Sequence, residues 1–220
     1  VTMAGRHQVD VLCDSTNRFY EFNAFGHDSA EQNNQVQAFF DVIVDLQVTD
    51  LVLEPDTGLQ SGQTLTVRWN DSVSGNFAAS GSWQDRLVVV NTNSGETLVN
   101  ATVPRTGASL QPGQWAPQQY SFRLPDGTRG AGTLSLTVTT DNGNAVREYN
   151  LADTAESNNV TSLLRSSTLA PYPDLAVTNI VAPSNALPGQ LVQVVWTLTN
   201  QGNATPTNSW VDTFFLSSDA

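Results

Sequence analysis

The sequence predicts an all-β protein built from tandem immunoglobulin-like β-sandwiches. Three observations lead to this class. Short runs of alternating apolar and polar residues, separated by turn-forming residues, extend along the whole chain. A set of residues recurs at a fixed separation, which is typical of repeat proteins. No run of ten or more residues carries a convincing helical pattern.

The composition fits this class and excludes several functions. Charged residues make up only 14% of the 220 residues, whereas the 39% hydrophobic residues suffice for packed cores. A formal net charge of −12 repels phosphate backbones and anionic lipids, so we expect no nucleic-acid partner. No apolar run is long enough to span a membrane, so we expect no membrane insertion in this segment.

Two tryptophan pairs define the period of the repeat. Trp69 and Trp196 have the same separation in the sequence as Trp83 and Trp210, and we call this separation the repeat spacing. In both copies an Asp-Leu pair precedes the first tryptophan, and a Trp-x-Asp motif contains the second. Because two tryptophans rarely keep one separation by chance, we interpret these segments as copies of one unit.

The first residues match the end of the middle copy. Three polar residues there, Asp14, Asn17 and Glu21, precede Asp141, Asn144 and Glu148 by the repeat spacing. The chain therefore divides into three parts: residues 1–44, the C-terminal part of one repeat; 45–172, a complete repeat; and 173–220, the N-terminal part of a further repeat. We prefer a window on a longer protein; the alternative is that the ends of neighbouring subunits complete one another by strand complementation.

The middle copy contains eight strand candidates, each bounded by turn-forming residues. They cover 46–53, 63–70, 83–91, 97–103, 118–124, 133–139, 145–149 and 160–164. Asn142-Gly143 predicts a type I′ hairpin turn between 133–139 and 145–149, because Asn-Gly adopts positive φ angles readily. So many short strands favour two packed sheets, and we place Trp69 and Trp83 in the core between them.

The motifs resemble those of a known family. Val-Val-Trp-Thr-Leu-Thr-Asn-Gln-Gly at 194–202, the run from Ser209 to Asp219, and the Asp, Asn, Glu and Glu-x-Asn-Asn pattern of 141–159 resemble the CARDB repeat, the cell adhesion related domain found in bacteria. The middle copy departs from this pattern at 70–75. The resemblance implies an immunoglobulin-like sandwich, tandem copies in large secreted or surface proteins of bacteria and archaea, and no catalytic activity.

Acidic and amide side chains cluster in the C-terminal segment of each matching copy. Hard oxygen donors of this kind bind Ca²⁺, so calcium is the one cofactor we consider. The candidate ligands are Asp14, Asn17, Glu21, Asp28, Glu31, Asp141, Asn144, Glu148, Asp153 and Glu156. The alternative, which we favour, is that these residues close turns by bonding their own backbone.

Other candidate sites have weaker support. The Trp-x-Asp motif at 83–85 and 210–212 fits either a sugar-binding platform or, as we prefer, a core tryptophan beside a strand-edge aspartate. His7 and His27 are the only histidines, and neither has the spacing of a catalytic triad, so we expect no enzymatic activity. Cys13 is the single cysteine, which excludes an intrachain disulfide.

These predictions together indicate a structural repeat segment of an extracellular prokaryotic surface protein: a stalk, an adhesin or a filament. Its expected partners are neighbouring copies of the same repeat, in one chain or between subunits of a filament. The expected location is extracellular or at the cell surface. The alternative is a carbohydrate- or protein-binding accessory module of a large secreted enzyme. That alternative requires exposed aromatic residues in a line, with Phe77, Trp115 and Tyr120 as candidates.

Overall fold

The computed structural model describes residues 3–24, 29–107 and 109–217. These residues form twelve strands and two short 3-10 helices, at Ser29–Asn33 and Gly127–Gly130. The strands are β1 (Gly5–Leu12), β2 (Gln35–Val42), β3 (Val44–Glu54), β4 (Leu59–Gln60), β5 (Thr64–Gly75), β6 (Trp83–Asn91), β7 (Glu96–Arg105), β8 (Trp115–Arg123), β9 (Gly132–Thr139), β10 (Val160–Thr168), β11 (Leu175–Val181) and β12 (Val195–Asn200). A helix suited to crossing a membrane is absent from this part of the chain.

Strands β3 to β10 build two sheets that face each other. The smaller sheet has the order β3-β5-β8, and the larger has the order β4-β10-β9-β6-β7. All pairs are antiparallel except β4 with β10. Alternating side chains of both sheets fill the core, including Leu65, Trp69, Leu87 and Leu136. The predicted all-β, immunoglobulin-like fold class is confirmed, and so is the core position of Trp69.

A second apolar cluster closes one end of this sandwich. It contains Val44 and Leu46 at the start of β3, Val73 near the end of β5, Trp83 at the start of β6, and Val146 in the loop after β9. Each of these side chains is buried. The start of β3 is therefore packed into the same end of the sandwich as the loop that carries the predicted site residues.

Two hairpins flank the sandwich, β1–β2 before it and β11–β12 after it. β1 and β9 each contain eight residues, and they begin at Gly5 and Gly132, which are one repeat spacing apart. β1 pairs with β2 in the register in which β9 pairs with β10, with the first glycine of each hairpin near the end of its partner strand. The β1–β2 hairpin thus repeats the local geometry of β9–β10.

Two local predictions are wrong. Residues 145–149 form no strand; Tyr149 makes a single bridge to Val44, and β9 pairs with β10 instead. The type I′ turn at Asn142-Gly143 is also absent, since the left-handed φ angles fall on Asp141 (42°) and Asn144 (49°). The physical reason is the Asp141 side chain, whose hydrogen bonds to the backbone close a wider loop than a two-residue hairpin.

Candidate functional site

The carboxylate of Asp141 organises the loop after β9. Its Oδ1 accepts the backbone N–H of Ala145 (2.9 Å), and its Oδ2 accepts that of Val146 (2.8 Å). The carbonyl of Asp141 also accepts the N–H of Asn144 at 2.9 Å. Asp and Asn tolerate left-handed φ angles better than other non-glycine residues, which explains their use at both ends of this turn.

Asp14 builds the same loop after β1. Its Oδ1 accepts the N–H of Arg18 (3.0 Å), its Oδ2 accepts that of Phe19 (2.8 Å), and its carbonyl accepts that of Asn17 (2.8 Å). The φ angles of Asp14 and Asn17 are 38° and 50°. The backbone hydrogen bonds from Arg18 and Phe19 lower the pKa of Asp14. Each atom in this arrangement has its counterpart one repeat spacing later, in the Asp141 loop.

Glu148 connects the segment between β9 and β10 to the start of β3. Its side chain is buried, with Oε2 accepting the N–H of Leu46 (2.5 Å) and Oε1 accepting the Asn159 amide (2.8 Å). Burial raises the pKa of Glu148 to about 8, although the hydrogen bonds from Leu46 and Asn159 oppose the shift. A second hydrogen bond joins the same two segments: the Asn150 amide donates to Asp45 Oδ2 at 3.1 Å.

Protein donors thus engage several of the candidate calcium ligands. Asp14, Asp141 and Glu148 accept backbone or amide hydrogens, and Glu156 accepts the N–H of Glu148 at 3.1 Å. Asp153 has a left-handed φ of 56° and donates its N–H to the Asn150 carbonyl. Within residues 3–24, 29–107 and 109–217, no three His, Cys, Asp or Glu side chains are grouped as a metal requires.

The hydrogen bonds of Asp14 and Asp141 favour the turn-closing interpretation for these two residues. Glu21 is half-buried. Asp28 lies outside the described residues, and so does the side chain of Glu31. Calcium binding therefore stays a prediction, and we assign no function to a bound metal.

Two crossed tryptophan–aspartate pairs connect the sheets inside the core. Trp69 on β5 donates its indole N–H to Asp85 Oδ2 on β6 (2.9 Å), and Trp83 on β6 donates to Asp71 Oδ2 on β5 (3.2 Å). All four side chains are at most 2% exposed. Since β5 and β6 belong to different sheets, the two bonds tie the sheets together and satisfy indole N–H groups that have lost water.

The two aspartates also share one buried polar pocket with Thr140. Burial is the main cause that raises the pKa of both carboxyls, and repulsion by Asp85 helps to raise the pKa of Asp71 to about 8. Two neighbouring buried carboxylates repel each other, which favours protonation of one of them. The guanidinium of Arg105 lies over the Trp83 ring, 4.1 Å from its centroid.

The first of these pairs recurs between β12 and the residues that follow it. Trp196 donates its indole N–H to Asp212 Oδ2 at 3.0 Å, with the 16-residue spacing of Trp69 and Asp85. Trp196 is 39% exposed, however, whereas Trp69 is 2% exposed. Leu198 occupies the position one repeat spacing after Asp71, so the second crossed bond has no counterpart.

The burial of Trp83 decides between the two interpretations of Trp-x-Asp at 83–85. Trp83 is 2% exposed, so the core position of this tryptophan is confirmed and the sugar-platform alternative is wrong at 83–85. The prediction of a strand-edge aspartate is wrong, because Asp85 is 0% exposed and lies on β6, between β9 and β7 in the larger sheet. The proposed line of exposed aromatics is broken as well. Trp115 and Phe77 are 65% and 44% exposed, but Tyr120 packs against the core.

The remaining candidates are dispersed. His7 stacks on Phe40 with ring centroids 5.2 Å apart, and its Nε2 lies 2.9 Å from the Met3 carbonyl. Cys13 is an exposed free thiol directly after β1. His27 lies outside the described residues.

A glycine–asparagine pair holds the segment before β3. Asn76 Oδ1 accepts the N–H of Ile43 (2.8 Å), and the N–H of Asn76 donates to the Ile43 carbonyl (3.1 Å). A Cβ on the preceding Gly75 would overlap that carbonyl oxygen, so only glycine permits this approach. We call this arrangement the Gly-Asn clamp.

The Gly-Asn clamp recurs before β11, where Gly202 and Asn203 hold Tyr172. Asn203 Oδ1 accepts the N–H of Tyr172 (2.9 Å), and the N–H of Asn203 donates to the Tyr172 carbonyl (3.0 Å). A Cβ on Gly202 would overlap the same carbonyl oxygen. Gly-Asn at 75–76 and 202–203 again keeps the repeat spacing, the one signal by which the sequence reveals these clamps.

Comparisons with known proteins give distant likenesses. No protein-family model matches the chain, and no curated protein does either. The chain is similar to the crystal structure of a CARDB domain from Pyrococcus furiosus in complex with di-metal ions, with 21% identity and a TM-score of 0.43, over 60% of this chain and 99% of that one.

Two further solved structures have lower scores. The sporulation control protein of Bacillus subtilis has 16% identity and a TM-score of 0.36, over 57% of this chain and 50% of that one. A beta-glucosidase from Thermotoga neapolitana has 16% identity and a TM-score of 0.32, over 58% of this chain and 16% of that one.

Proposed function

We propose that this chain is a structural segment of an extracellular prokaryotic surface protein in which CARDB-like β-sandwich repeats follow one another in series. In this proposal residues 45–172 are one complete repeat, and residues 1–44 and 173–220 are parts of its neighbours. The partners of each repeat are the adjacent copies. The stalk, adhesin or filament that they form would hold a binding domain away from the cell or build the filament itself.

The observation that carries the proposal is the recurrence of detailed geometry at one separation. The Asp14 loop repeats the Asp141 loop, and the Trp196–Asp212 bond repeats the Trp69–Asp85 bond. Unrelated segments that merely share a β-rich composition have no reason to repeat hydrogen bonds atom by atom. The recurrence therefore supports copies of one folding unit.

The short connections support a mechanical role. Ile43 alone separates β2 from β3, and the Gly-Asn clamp holds its backbone on both sides. At the second connection, the Tyr172 hydroxyl lies 2.8 Å from Ser61 Oγ and accepts the N–H of Gly127 at 2.9 Å. A connection pinned in this way transmits force and orientation better than a flexible linker.

The proposal includes no catalytic activity. The paired carboxyls of Asp71 and Asp85, whose pKa values are raised, lie in the core with both residues 0% exposed. A general acid or base must reach its substrate, and these carboxyls face only protein groups. Their position supports a structural role in the core.

Two measurements test the proposal: the location of the protein in the cell and the shape of its native particles. Antibodies against residues 45–172 should label intact cells as strongly as permeabilised cells, and electron micrographs of the native protein should show beads in series. Labelling that appears only after permeabilisation would contradict the extracellular role. A compact particle without serial beads would contradict the array.

A further inference from the structure

Four Asn-x-Ser/Thr motifs occur in the chain, and the structure distinguishes one of them. This motif is the acceptor for N-linked glycosylation, in which a saccharide is attached to the asparagine side chain. The four asparagines are Asn70, Asn100, Asn159 and Asn203. Because the attached saccharide is bulky and hydrophilic, the side-chain nitrogen Nδ2 must reach solvent in the folded protein. The exposure and the hydrogen bonds of each amide therefore decide which motif can be modified.

Three of these asparagines have side chains that the fold already uses. Asn159 is 3% exposed, and its Nδ2 donates to Glu148 Oε1 at 2.8 Å. Asn70 lies on β5, the central strand of the smaller sheet, and its Nδ2 donates to Asp50 Oδ2 at 2.9 Å. Asn203 belongs to the Gly-Asn clamp before β11. A saccharide on any of the three would disturb contacts that hold strands or connections in place.

Asn100 differs from the other three. It lies exposed on β7, and its Oδ1 accepts the Nε–H of Arg86 at 3.0 Å. Within residues 3–24, 29–107 and 109–217, no hydrogen bond engages its Nδ2. The bond from Arg86 thus holds the amide by its oxygen and leaves the nitrogen available.

The hydroxyl residue of the motif lies on the same surface. Asn100 and Thr102 are two residues apart on β7, so their side chains project to the same face, and both residues are exposed. Their partners on β6 are Val88 and Arg86, which alternate with the buried Leu87. The face that carries the motif is therefore the outer face of the larger sheet.

The position of β7 in the sheet leaves room for a bulky group. The order β4-β10-β9-β6-β7 places β7 last, so its outward side chains have a neighbouring strand on one side only. Asn70, by contrast, lies between β3 and β8. A saccharide on Asn100 can extend away from the sheet without crossing another strand.

We propose that Asn100 is an N-glycosylation site that takes its saccharide from a lipid-phosphate-linked donor. Asn100 Nδ2 forms a bond to the anomeric carbon of the saccharide, the bond from that carbon to the phosphate oxygen breaks, and the lipid phosphate leaves with the electron pair. The amide nitrogen releases one proton and keeps the other, and Oδ1 still accepts from Arg86. The inference rests on the proposed function, because this modification is made on exported proteins.

Mass spectrometry of tryptic peptides from the native protein tests the site. Cleavage after Arg86 and Arg105 gives a peptide, 87–105, in which Asn100 has the only such motif. This peptide should carry the added mass of a saccharide, and fragmentation should release sugar ions and locate the mass on Asn100. Absence of any modified form of this peptide would overturn the proposal.

The peptides that contain two of the other motifs are internal controls. They cover 69–86, with Asn70, and 148–165, with Asn159. Because both asparagines donate their Nδ2 within the fold, these peptides should keep their unmodified masses. Equal modification of both peptides and of 87–105 would show that exposure does not select the site, and it would overturn the proposal.

Substitutions of two threonines on β7 separate the motif from general effects of the surface. Thr102→Ala removes the hydroxyl that the motif requires and should reduce the glycosylated fraction at least about tenfold. Thr102→Ser keeps the hydroxyl and should retain the modification. Thr97→Ala changes an exposed position of the same strand outside the motif and should leave the modification unchanged. Equal effects of Thr102→Ala and Thr97→Ala would overturn the assignment.

The outcomes of this test are distinct from those of the labelling and of the particle shape. A protein that labels on intact cells and forms serial beads, but has an unmodified peptide 87–105, keeps the proposed function and loses the glycosylation site. A modified peptide 87–105 from compact particles keeps the site and removes the array.

Discussion

The indole N–H of Trp69 on β5 is hydrogen-bonded to the carboxylate of Asp85 on β6, 2.9 Å away in the opposite sheet. Trp196 and Asp212 make the same bond at 3.0 Å, although Trp196 is far more exposed. The bond therefore forms at both places in the chain, whether the indole is buried or partly exposed. We conclude that it sets the orientation of the indole, whereas burial supplies most of its stabilisation.

This pair leads to a prediction for Trp69→Phe. The phenyl ring retains much of the packing but leaves the buried Asp85 Oδ2 without its donor, so the free energy of unfolding should fall by about 2–4 kcal/mol. Urea unfolding of residues 1–220 measures the change. Trp115→Phe is the matched control, because Trp115 is 65% exposed. It should lose less than about 0.5 kcal/mol. Similar losses in both variants would contradict a structural role for the bond.

The raised pKa values predict how stability depends on pH. Burial raises the pKa of Asp71 to about 8 from 3.8, and that of Glu148 to about 8 from 4.5. At pH values between the ordinary pKa and the raised pKa of each group, the folded chain holds more protons than the unfolded chain. The free energy of unfolding must therefore decrease as the pH rises through this range. The free energy of unfolding should be lower at pH 8 than at pH 5 by at least about 1 kcal/mol.

Asp71→Asn isolates the contribution of the aspartate pair. The amide needs no proton to remain neutral, and it can donate to Asp85 while accepting from Trp83. The variant should therefore show a smaller loss of stability between pH 5 and pH 8 than the parent chain. Asp126→Asn serves as the control, since Asp126 is exposed and its pKa is lowered by the hydrogen bond from Arg123. A parent chain whose stability rises over this range would refute the buried-acid account.

The calcium prediction can be tested on the same protein. If Asp14 and Asp141 serve only to close turns and Glu148 only to hold the start of β3, millimolar Ca²⁺ added after chelator treatment should shift the melting temperature by less than about 1 °C. Calorimetric titration should then show no binding heat. A saturable shift of several degrees, abolished by Asp141→Asn, would instead support calcium binding. Asp126→Asn should leave any such shift unchanged.

Alternation of apolar and polar residues was sufficient to predict most of the strands. Of the candidates in the middle copy, 83–91 coincides with β6, and 133–139 differs from β9 by one residue. Residues 145–149 failed because Ala145 and Val146 direct their N–H groups to Asp141, and a side-chain acceptor of this kind leaves no trace in apolar periodicity. The two-residue strand β4 was too short to produce a pattern.

The candidate site was only partly predictable for a related reason. The polar residues of 141–159 form a recognisable group in the sequence, but Leu46, the backbone partner of Glu148, lies 102 residues away from it. The sequence carries no signal for Asp71, because the pKa of its carboxyl is raised by burial and by Asp85 across the core. The Gly-Asn clamps are hard to recognise in the sequence because glycine and asparagine are common in turns, and only their shared separation distinguishes them.

The clamps yield a prediction in which each serves as the control for the other. Asn76→Ala removes the acceptor for the Ile43 N–H, and Asn203→Ala removes the acceptor for the Tyr172 N–H. Amide exchange at Ile43 should accelerate at least about tenfold in Asn76→Ala while exchange at Tyr172 stays unchanged, and the reverse should hold for Asn203→Ala. Hydrogen exchange measured by NMR reports both amides in one sample. If neither variant alters exchange at its own site, the clamps do not hold these segments. The rigid connections would then no longer support a mechanical role.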